Sequence, residues 1–171
     1  MHSDTQPDML RTMVFSAVVT ALTVLLSPVF SFPLGVTRAF PIQHMANIFL
    51  AVLAGTRYGV AAAFTASLIR NIAGTGSLLA FPGSMIGAFL SGWLYSRTHK
   101  LWAAAAGEFF GTSVLGGLAS YPIAALLLGS EKGAFFYVSL FAVSCGAGCV
   151  IAYCALKAVS LCQPSLLRGR R

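Results

Sequence analysis

Long apolar runs, separated by short breaks rich in glycine, proline and polar residues, dominate the hydropathy pattern of the chain. A helix of about 20 apolar residues is long enough to cross the hydrocarbon core of a bilayer. The pattern predicts six spans, at about residues 10–29, 42–55, 58–73, 78–95, 101–128 and 134–161. We therefore expect one all-α integral membrane domain over residues 1–171, with six transmembrane helices and only short tails outside them.

Two of these spans, residues 42–55 and 58–73, are short for a bilayer core about 30 Å thick. Non-helical backbone at membrane depth is tolerated only where it is buried in protein or lines a wet cavity. We expect such backbone on the outer side, in the stretch from Ser31 to Pro41 and in the turn Gly74-Thr75-Gly76.

Composition supports a membrane protein, since 57% of the residues are hydrophobic and 9% are charged, against roughly 25% charged residues in soluble domains. The net charge of +7 does not indicate nucleic-acid binding, because that function needs basic residues clustered on one solvated face. The apolar stretch of the first segment is too long for a typical secretory signal, and no Ala-x-Ala site follows it, so we keep it as a mature helix.

The basic residues lie mainly at span ends, and their distribution predicts the orientation. With a cytoplasmic N-terminus the inner ends carry Arg11, Arg57, Arg97, Lys100, Lys157, Arg168, Arg170 and Arg171. The outer ends carry only Arg38 and Lys132. Both termini are therefore expected in the cytoplasm of a bacterial cell, with the chain passing the cytoplasmic membrane several times.

The four cysteines fall in or directly after the last apolar run, without a CxxC pair or a His at metal-ligand spacing: Cys145, Cys149, Cys154 and Cys162. This spacing favours small packing residues over a metal or redox site. We expect no metal and no catalytic residue in this chain.

Two charged residues lie inside predicted spans, Arg70 in the outer half and Glu108 in the inner half. Each costs about 2.5–3.5 kcal/mol near the bilayer centre, so each requires a structural or a functional reason. Structurally, they pair across the bundle or satisfy backbone carbonyls or waters. Functionally, both belong to a substrate site.

Further polar and aromatic candidates converge at similar depth from different spans: His44, Asn47, Asn71, Thr75, Phe81, Ser84, Tyr121 and Tyr137. Aromatic walls with a few directional hydrogen-bonding groups are typical of a small-molecule pocket, here one open to the outside. His44 and Asn47 are three residues apart and share a helix face. The structural alternatives are an interfacial aromatic belt and polar bridges between helices.

Small residues recur at four-residue spacing and predict close helix packing: Ala17 and Ala21; Gly83, Gly87 and Ser91; Ala103, Gly107 and Gly111; Ala142 and Gly146. Most such tracks are packing seams inside the bundle. The track on the first helix is also suited to docking another membrane subunit.

The segment Ser67 to Ala88, SLIRNIAGTGSLLAFPGSMIGA, followed by KLWAAAAGEFFGT from Lys100 and YPIAALLLG from Tyr121, closely resembles the ThiW family. That resemblance implies a six-helix substrate-binding S component of an energy-coupling-factor (ECF) vitamin transporter. It implies hydroxyethylthiazole, the thiazole precursor of thiamine, as substrate, and a transmembrane T component and two cytoplasmic ATPases as partners. S components carry an AxxxA motif for the T component, which Ala17 and Ala21 match.

The chain has no GxxxxGK[ST] loop for nucleotide phosphates, so any ATP must be used by partner ATPases, and no cofactor is expected here. We expect the thiazole to lie between aromatic rings such as Phe81, Tyr121 and Tyr137, with the loop after the first span as a lid. Arg70 either donates to the ligand or orients Asn71 and the Thr75 turn. Alternatives are the pyrimidine moiety or thiamine as substrate, and a non-transporting scaffold. An intramembrane hydrolase using Ser84 and His44 is a weaker alternative, because the chain lacks a GxSG-like nucleophile turn.

Overall fold

The computed structural model describes residues 5–34 and 37–162, which are mainly helical. The elements in chain order are α1 (Thr5–Val29), β1 (Phe32–Leu34), β2 (Thr37–Ala39), α2 (Pro41–Leu53), α3 (Thr56–Ile72), α4 (Ala80–Thr98), α5 (Leu101–Phe109), a π-helical segment (Phe110–Gly116), α6 (Gly117–Leu127) and α7 (Ala134–Cys162). Each predicted span coincides with a helix or a continuous helical run whose ends lie close to the predicted ones.

Glycines mark the breaks between these helices. Gly55, Gly74 and Gly129 have φ angles of 93°, 69° and 61°, in the left-handed region that favours a residue without a Cβ. Gly76 is required for a different reason, since a Cβ there would lie 2.9 Å from the backbone nitrogen of Asn71. The turn after α3 therefore depends on both of its glycines.

Three helical stretches are long and apolar enough to cross a membrane: Asp8–Val29, Leu101–Leu127 and Ala134–Cys162. Pro41–Leu53 is a shorter apolar helix. The tail residues Arg168, Arg170 and Arg171, which contribute to the predicted orientation, lie outside the described residues.

The protein is mainly helical, as the all-α prediction requires, but a two-stranded hairpin that was not predicted follows α1. β1 and β2 pair antiparallel, with Phe32 opposite Ala39 and Pro33 opposite Arg38. The expectation of non-helical backbone between Ser31 and Pro41 is confirmed. The backbone N–H of Phe40 donates to Ser144 Oγ at 2.9 Å, which attaches the end of the hairpin to α7.

The small-residue tracks of the fourth and fifth spans form one packing seam, as predicted. A Cβ on Gly111 would lie 2.8 Å from Gly87 Cα, and a Cβ on Gly116 would lie 2.3 Å from Gly83 Cα. The backbones of α4 and of the π-helical segment are therefore in direct contact. Such close approach is the arrangement that glycine seams permit between membrane helices.

α1 packs against α2 and α3 through a polar stripe of Ser16, Thr20, Thr23 and Ser27, which are all buried. The hydroxyls of the first three donate to the carbonyl oxygens four residues earlier. This local bonding leaves three of the hydroxyls satisfied at an apolar interface. Ala17 and Ala21 lie on the exposed part of the helix surface.

The interior is centred on α2, which is buried along most of its length. One core cluster joins Ile48 and Val52 of α2 to Cys145, Cys149 and other small or branched residues of α5 and α7. These two cysteines therefore act as packing residues, as expected. Cys154 and Cys162 are exposed, and all four thiols are free.

Candidate ligand-binding site

The interior of the bundle contains a polar network built around Glu108. His44 Nδ1 lies 3.0 Å from Glu108 Oε1, and Asn47 Nδ2 donates to the same oxygen at 2.9 Å. The prediction that His44 and Asn47 share one helix face is thereby confirmed. Thr112, one turn after Glu108, donates its hydroxyl to that oxygen at 3.1 Å.

Glu108 itself is completely buried. A buried carboxylate is costly unless hydrogen-bond donors replace its water, and here several donors converge on Oε1. The other oxygen, Oε2, has no hydrogen-bond partner among the described residues. A Cβ on Gly87 would lie 2.9 Å from Oε2, so the glycine of α4 makes the space that the carboxylate occupies.

Arg70, on α3, is 1% exposed and is the largest fully buried side chain among the described residues. Its Nη1 donates to Gln43 Oε1, and its Nη2 donates to the backbone carbonyl of Thr75 at 3.2 Å. The guanidinium carbon lies 4.0 Å from the ring centroid of Phe40, a cation–π arrangement. Nε has no partner among the described residues.

The expected pairing of Arg70 with Glu108 across the bundle does not form. Arg70 binds Gln43 of α2 and the Thr75 carbonyl, whereas Glu108 binds His44 and Asn47. Gln43 in turn donates from Nε2 to Ser67 Oγ at 2.9 Å, and Ser67 Oγ lies 3.0 Å from Ser84 Oγ. The number of residues from the end of each predicted span places Glu108 and His44 at different depths in the membrane. In the structure, however, their side chains are in contact. Such counting assumes parallel helices and ignores how each helix tilts against its neighbours.

A cavity of about 70 Å³ is lined by Arg70, by His44 in front of Glu108 and by residues at the end of the hairpin. One water needs roughly 10–15 Å³ of such space, so the cavity suits a small organic molecule rather than a single water. Its lining combines aromatic, aliphatic and hydrogen-bonding groups, as small-molecule sites do. The lining residues are Arg38, Phe40, Gln43, His44, Arg70, Ser77, Leu79, Ala80, Gly83, Ser84, Thr112, Leu140, Phe141 and Ser144.

Five of the ten residues predicted from the sequence lie in or directly behind this cavity. His44, Arg70 and Ser84 line it. Asn47 and Glu108 form the hydrogen-bonded layer behind His44.

Two more predicted residues lie in or next to the turn after α3. Thr75 lines a neighbouring depression, which it shares with Arg38 and Phe40. Asn71 stabilises the turn, since its Nδ2 donates to the carbonyls of Ser67 and Ser77 at 2.8 and 3.2 Å.

The three remaining candidates, the aromatic residues Phe81, Tyr121 and Tyr137, are not among the residues that line the cavity. Phe81 packs edge-on against Phe64 with ring centroids 5.8 Å apart. Tyr121 is 41% exposed, and the Tyr137 hydroxyl donates to Ser130 Oγ at 2.6 Å. Helix phase points these rings elsewhere, and the aromatic side chains of the cavity are those of Phe40 and Phe141. A ligand role for the ten residues stays a prediction.

Several lining residues were not predicted from the sequence. Gln43 had a detectable signal, because it is one of three polar residues within five positions of an otherwise apolar helix. Arg38 and Phe40 had none, because only the hairpin brings them over the cavity. Phe141 and Ser144 lie in a long apolar run in which no spacing distinguishes them.

His44, Glu108 and Cys145 place potential metal-ligand atoms within 4.8 Å of one another. In the structure these side chains are engaged in other ways. His44 and Glu108 contact each other, and Cys145 Sγ donates to the backbone carbonyl of Glu108 at 3.6 Å. His44 Nδ1, Glu108 Oε1 and Cys145 Sγ are therefore engaged in hydrogen bonds, whereas Glu108 Oε2 has no partner among the described residues.

A bundle of apolar helices around a small polar cavity defines a membrane protein that binds a small molecule. Residues 13–161 match the family described as thiamine-precursor transporter protein, ThiW. The chain belongs to this family, as its sequence motifs indicated, and it is a transporter rather than an enzyme. No curated protein and no solved structure is significantly similar to it.

Proposed function

We propose that the chain is the substrate-binding S component of an ECF importer and captures hydroxyethylthiazole from outside the cell. Membership of a thiamine-precursor transporter family supports the substrate class. The observation that carries the proposal is the cavity between α2, α3, α4, α7 and the hairpin, with Phe40 and Phe141 as apolar walls and His44, Arg70 and Ser84 as polar groups. Such a lining suits a planar ring with one polar substituent.

We further propose six transmembrane helices in a bacterial cytoplasmic membrane, with both termini in the cytoplasm. The helix bounds support the count, and the basic residues at the span ends support the orientation. In this orientation the hairpin and the turn after α3 lie on the outer side. The ligand then enters from outside, past Arg38 and Phe40.

His44 is the residue we assign to the hydroxyl group of the ligand, because a neutral imidazole that donates from Nδ1 accepts at Nε2. Its Nδ1 is engaged by Glu108, which leaves Nε2 as the ring nitrogen for a ligand. A partner that holds one nitrogen of a histidine also sets the orientation of its ring. Glu108 therefore acts as a positioning residue, and Asn47 holds its carboxylate from the same helix as His44.

The exposed track of Ala17 and Ala21 is the proposed contact with a transmembrane T component. Two small residues one turn apart allow a second helix to approach closely, which is how membrane helices associate. Two cytoplasmic ATPases bound to that component would supply the energy, since this sequence has no phosphate-binding loop.

Thiamine itself is a less suitable ligand, because its ring cation would face the guanidinium groups of Arg38 and Arg70. The neutral pyrimidine precursor is the stronger alternative, since it also offers a ring and hydrogen-bonding substituents. A hydrolase is not supported, because Ser84 Oγ bonds to Ser67 and to the carbonyl of Phe81 rather than to a histidine. A non-transporting scaffold would bind none of these molecules.

Calorimetry on the purified protein in detergent tests the proposal with hydroxyethylthiazole, the pyrimidine precursor and thiamine. We expect selective binding of the thiazole, weakened by Phe141→Ala. Phe135→Ala is the matched control, because Phe135 is on the same helix but 82% exposed. Selective binding of another ligand would overturn the substrate, and binding of none of the three would favour a scaffold.

A further inference from the structure

The cavity contains a buried cation without a counter-ion. Arg70 is 1% exposed, and its guanidinium contacts only neutral groups: the Gln43 side chain, the Thr75 carbonyl and the Phe40 ring. Among the described residues it forms no ion pair, and its Nε has no partner. A buried charge in proteins is normally paired, so the absence of an anion here requires an explanation.

No acidic residue within the described part of the chain is placed to provide that anion. The sequence has four acidic residues. Glu108 is engaged with His44, Asn47 and Thr112. Asp8 and Glu131 are exposed, and the fourth, Asp4, is outside the described residues.

A second guanidinium group lies at the same cavity. Arg38 lines both the cavity and the neighbouring depression, where Thr75, Gly76 and Ser77 are also found. Its position is set by the hairpin, in which it pairs with Pro33. Arg38 is exposed, so it lies at the rim while Arg70 lies deeper. The two arginines give one side of the cavity a positive potential.

Another part of the lining is apolar and comes from another helix. Leu140 and Phe141 are contributed by α7, whereas Arg70 comes from α3 and Arg38 from β2. A ligand that fits both linings has an apolar ring and an anionic substituent. Arginine binds phosphate and carboxylate groups through charge-assisted, frequently bidentate hydrogen bonds.

We propose that the site prefers its thiazole ligand in an anionic form, with a phosphate monoester or a carboxylate bound by Arg70 and Arg38. This inference rests on the proposed function and specifies its substrate class. The neutral alcohol leaves Arg70 without a counter-charge, whereas the anionic form supplies one. The hairpin then contributes to recognition through Arg38 as well as covering the cavity.

The test is calorimetry on the purified full-length protein with four probes: hydroxyethylthiazole, its phosphate monoester, the acetic acid formed by oxidising its side chain, and inorganic phosphate. We expect at least one anionic thiazole to bind about tenfold more tightly than the alcohol, since a hydrogen bond to a charged group contributes about 1.5–3 kcal/mol. Comparing the two anions identifies whether phosphate or carboxylate is preferred. The affinity advantage of the anionic probe over the alcohol should fall as salt is added, because ions in solution screen the charge of Arg38 at the exposed rim.

Variants separate a specific anion site from the general positive charge of the protein. Arg70→Gln and Arg38→Gln should each lower the affinity for the anionic probe by a larger factor than the affinity for the alcohol, so that the advantage of the anionic form shrinks. Arg57→Gln is the matched control, because Arg57 is an exposed arginine at the start of α3 that does not line the cavity. If Arg70→Gln fails to fold, Arg38→Gln at the exposed rim still decides the outcome.

Equal or tighter binding of the alcohol would overturn the anionic preference and leave the proposed function intact. Binding of no thiazole probe would overturn both. An equal effect of Arg57→Gln would also overturn the proposal, because the preference would then arise from net charge. Inorganic phosphate that binds as tightly as the phosphate monoester would show a simple anion site without recognition of the ring.

Discussion

His44 on α2 and Glu108 on α5 meet in the interior through a 3.0 Å contact between Nδ1 and Oε1. One of these residues lines the cavity, and the other belongs to the helix that continues into the π-helical segment. The contact therefore joins a residue that lines the cavity to a helix of irregular geometry, and π-helical turns occur frequently at functional sites.

Glu108→Gln should destabilise the protein and weaken ligand binding. The amide keeps the volume of the side chain, but it removes the charge that His44, Asn47 and Thr112 surround. We expect the free energy of unfolding to fall by about 1–3 kcal/mol, the usual cost when a buried polar group loses its partner. Thermal unfolding in detergent measures it, with Glu131→Gln at an exposed position as control. Equal unfolding temperatures for both variants would contradict a role of the carboxylate in the network.

Gly87→Ala should disrupt the contact between α4 and the π-helical segment. The added Cβ would lie 2.1 Å from Thr112 Oγ1, so the helices must separate or the Thr112 side chain must turn away from Glu108. Overpacking of this kind typically costs about 1–3 kcal/mol. Gly146→Ala is the matched control, because its nearest neighbour outside its own helix is a Phe109 ring atom at 3.7 Å, an ordinary contact. Equal thermal stability of the two variants would refute the close packing of Gly87 against Thr112.

Phe40→Ala should reduce affinity for hydroxyethylthiazole, whereas Tyr121→Ala should leave it nearly unchanged. Phe40 lines the cavity and stacks on Arg70, while Tyr121 is 41% exposed and does not line it. Loss of an aromatic contact should lower affinity about tenfold, equivalent to 1.4 kcal/mol. Calorimetry on both variants shows which ring contacts the ligand: Tyr121, which the sequence predicted, or Phe40, which lines the cavity in the structure. A larger effect at Tyr121 would favour the sequence-based assignment.

Ala17→Leu and Ala21→Leu should impair assembly with a T component without destabilising the isolated chain. Both positions are exposed, so the larger side chains meet no neighbour within the subunit. They would prevent the close helix approach that small residues permit. Co-purification with a tagged T component measures assembly, and Ala158→Leu at an exposed position of α7 is the control. Undiminished co-purification of both α1 variants would place the contact elsewhere.

The positions of the helices could be predicted from the sequence because each depends on local properties. Apolar runs of sufficient length form helices in an apolar environment, where every backbone polar group must bond within its own segment. Glycines at Gly55, Gly74 and Gly129 end these runs through backbone conformations that other residues rarely adopt. The hairpin after α1 was missed, since its three-residue strands carry no periodic signal.

Part of the site was predictable as well, because a charged or polar residue inside an apolar span is energetically costly and therefore requires a structural or functional explanation. Arg70, Glu108, His44, Asn47 and Ser84 were found in this way, and all lie in or directly behind the cavity. The aromatic lining was not predictable, since the direction of a ring depends on helix phase and tilt. Phe40 and Phe141 look no different in the sequence from Phe81, which packs on Phe64.

The sequence by itself determined that the chain is an apolar helical protein of the ThiW family, and it identified the buried charges that its interior must accommodate. Only the tertiary structure decided the partners of those charges. It paired Arg70 with Gln43 and Glu108 with His44, both on α2. The physical reason is that hydropathy acts along the chain, whereas the neutralisation of a buried charge depends on which neighbouring helix packs against it.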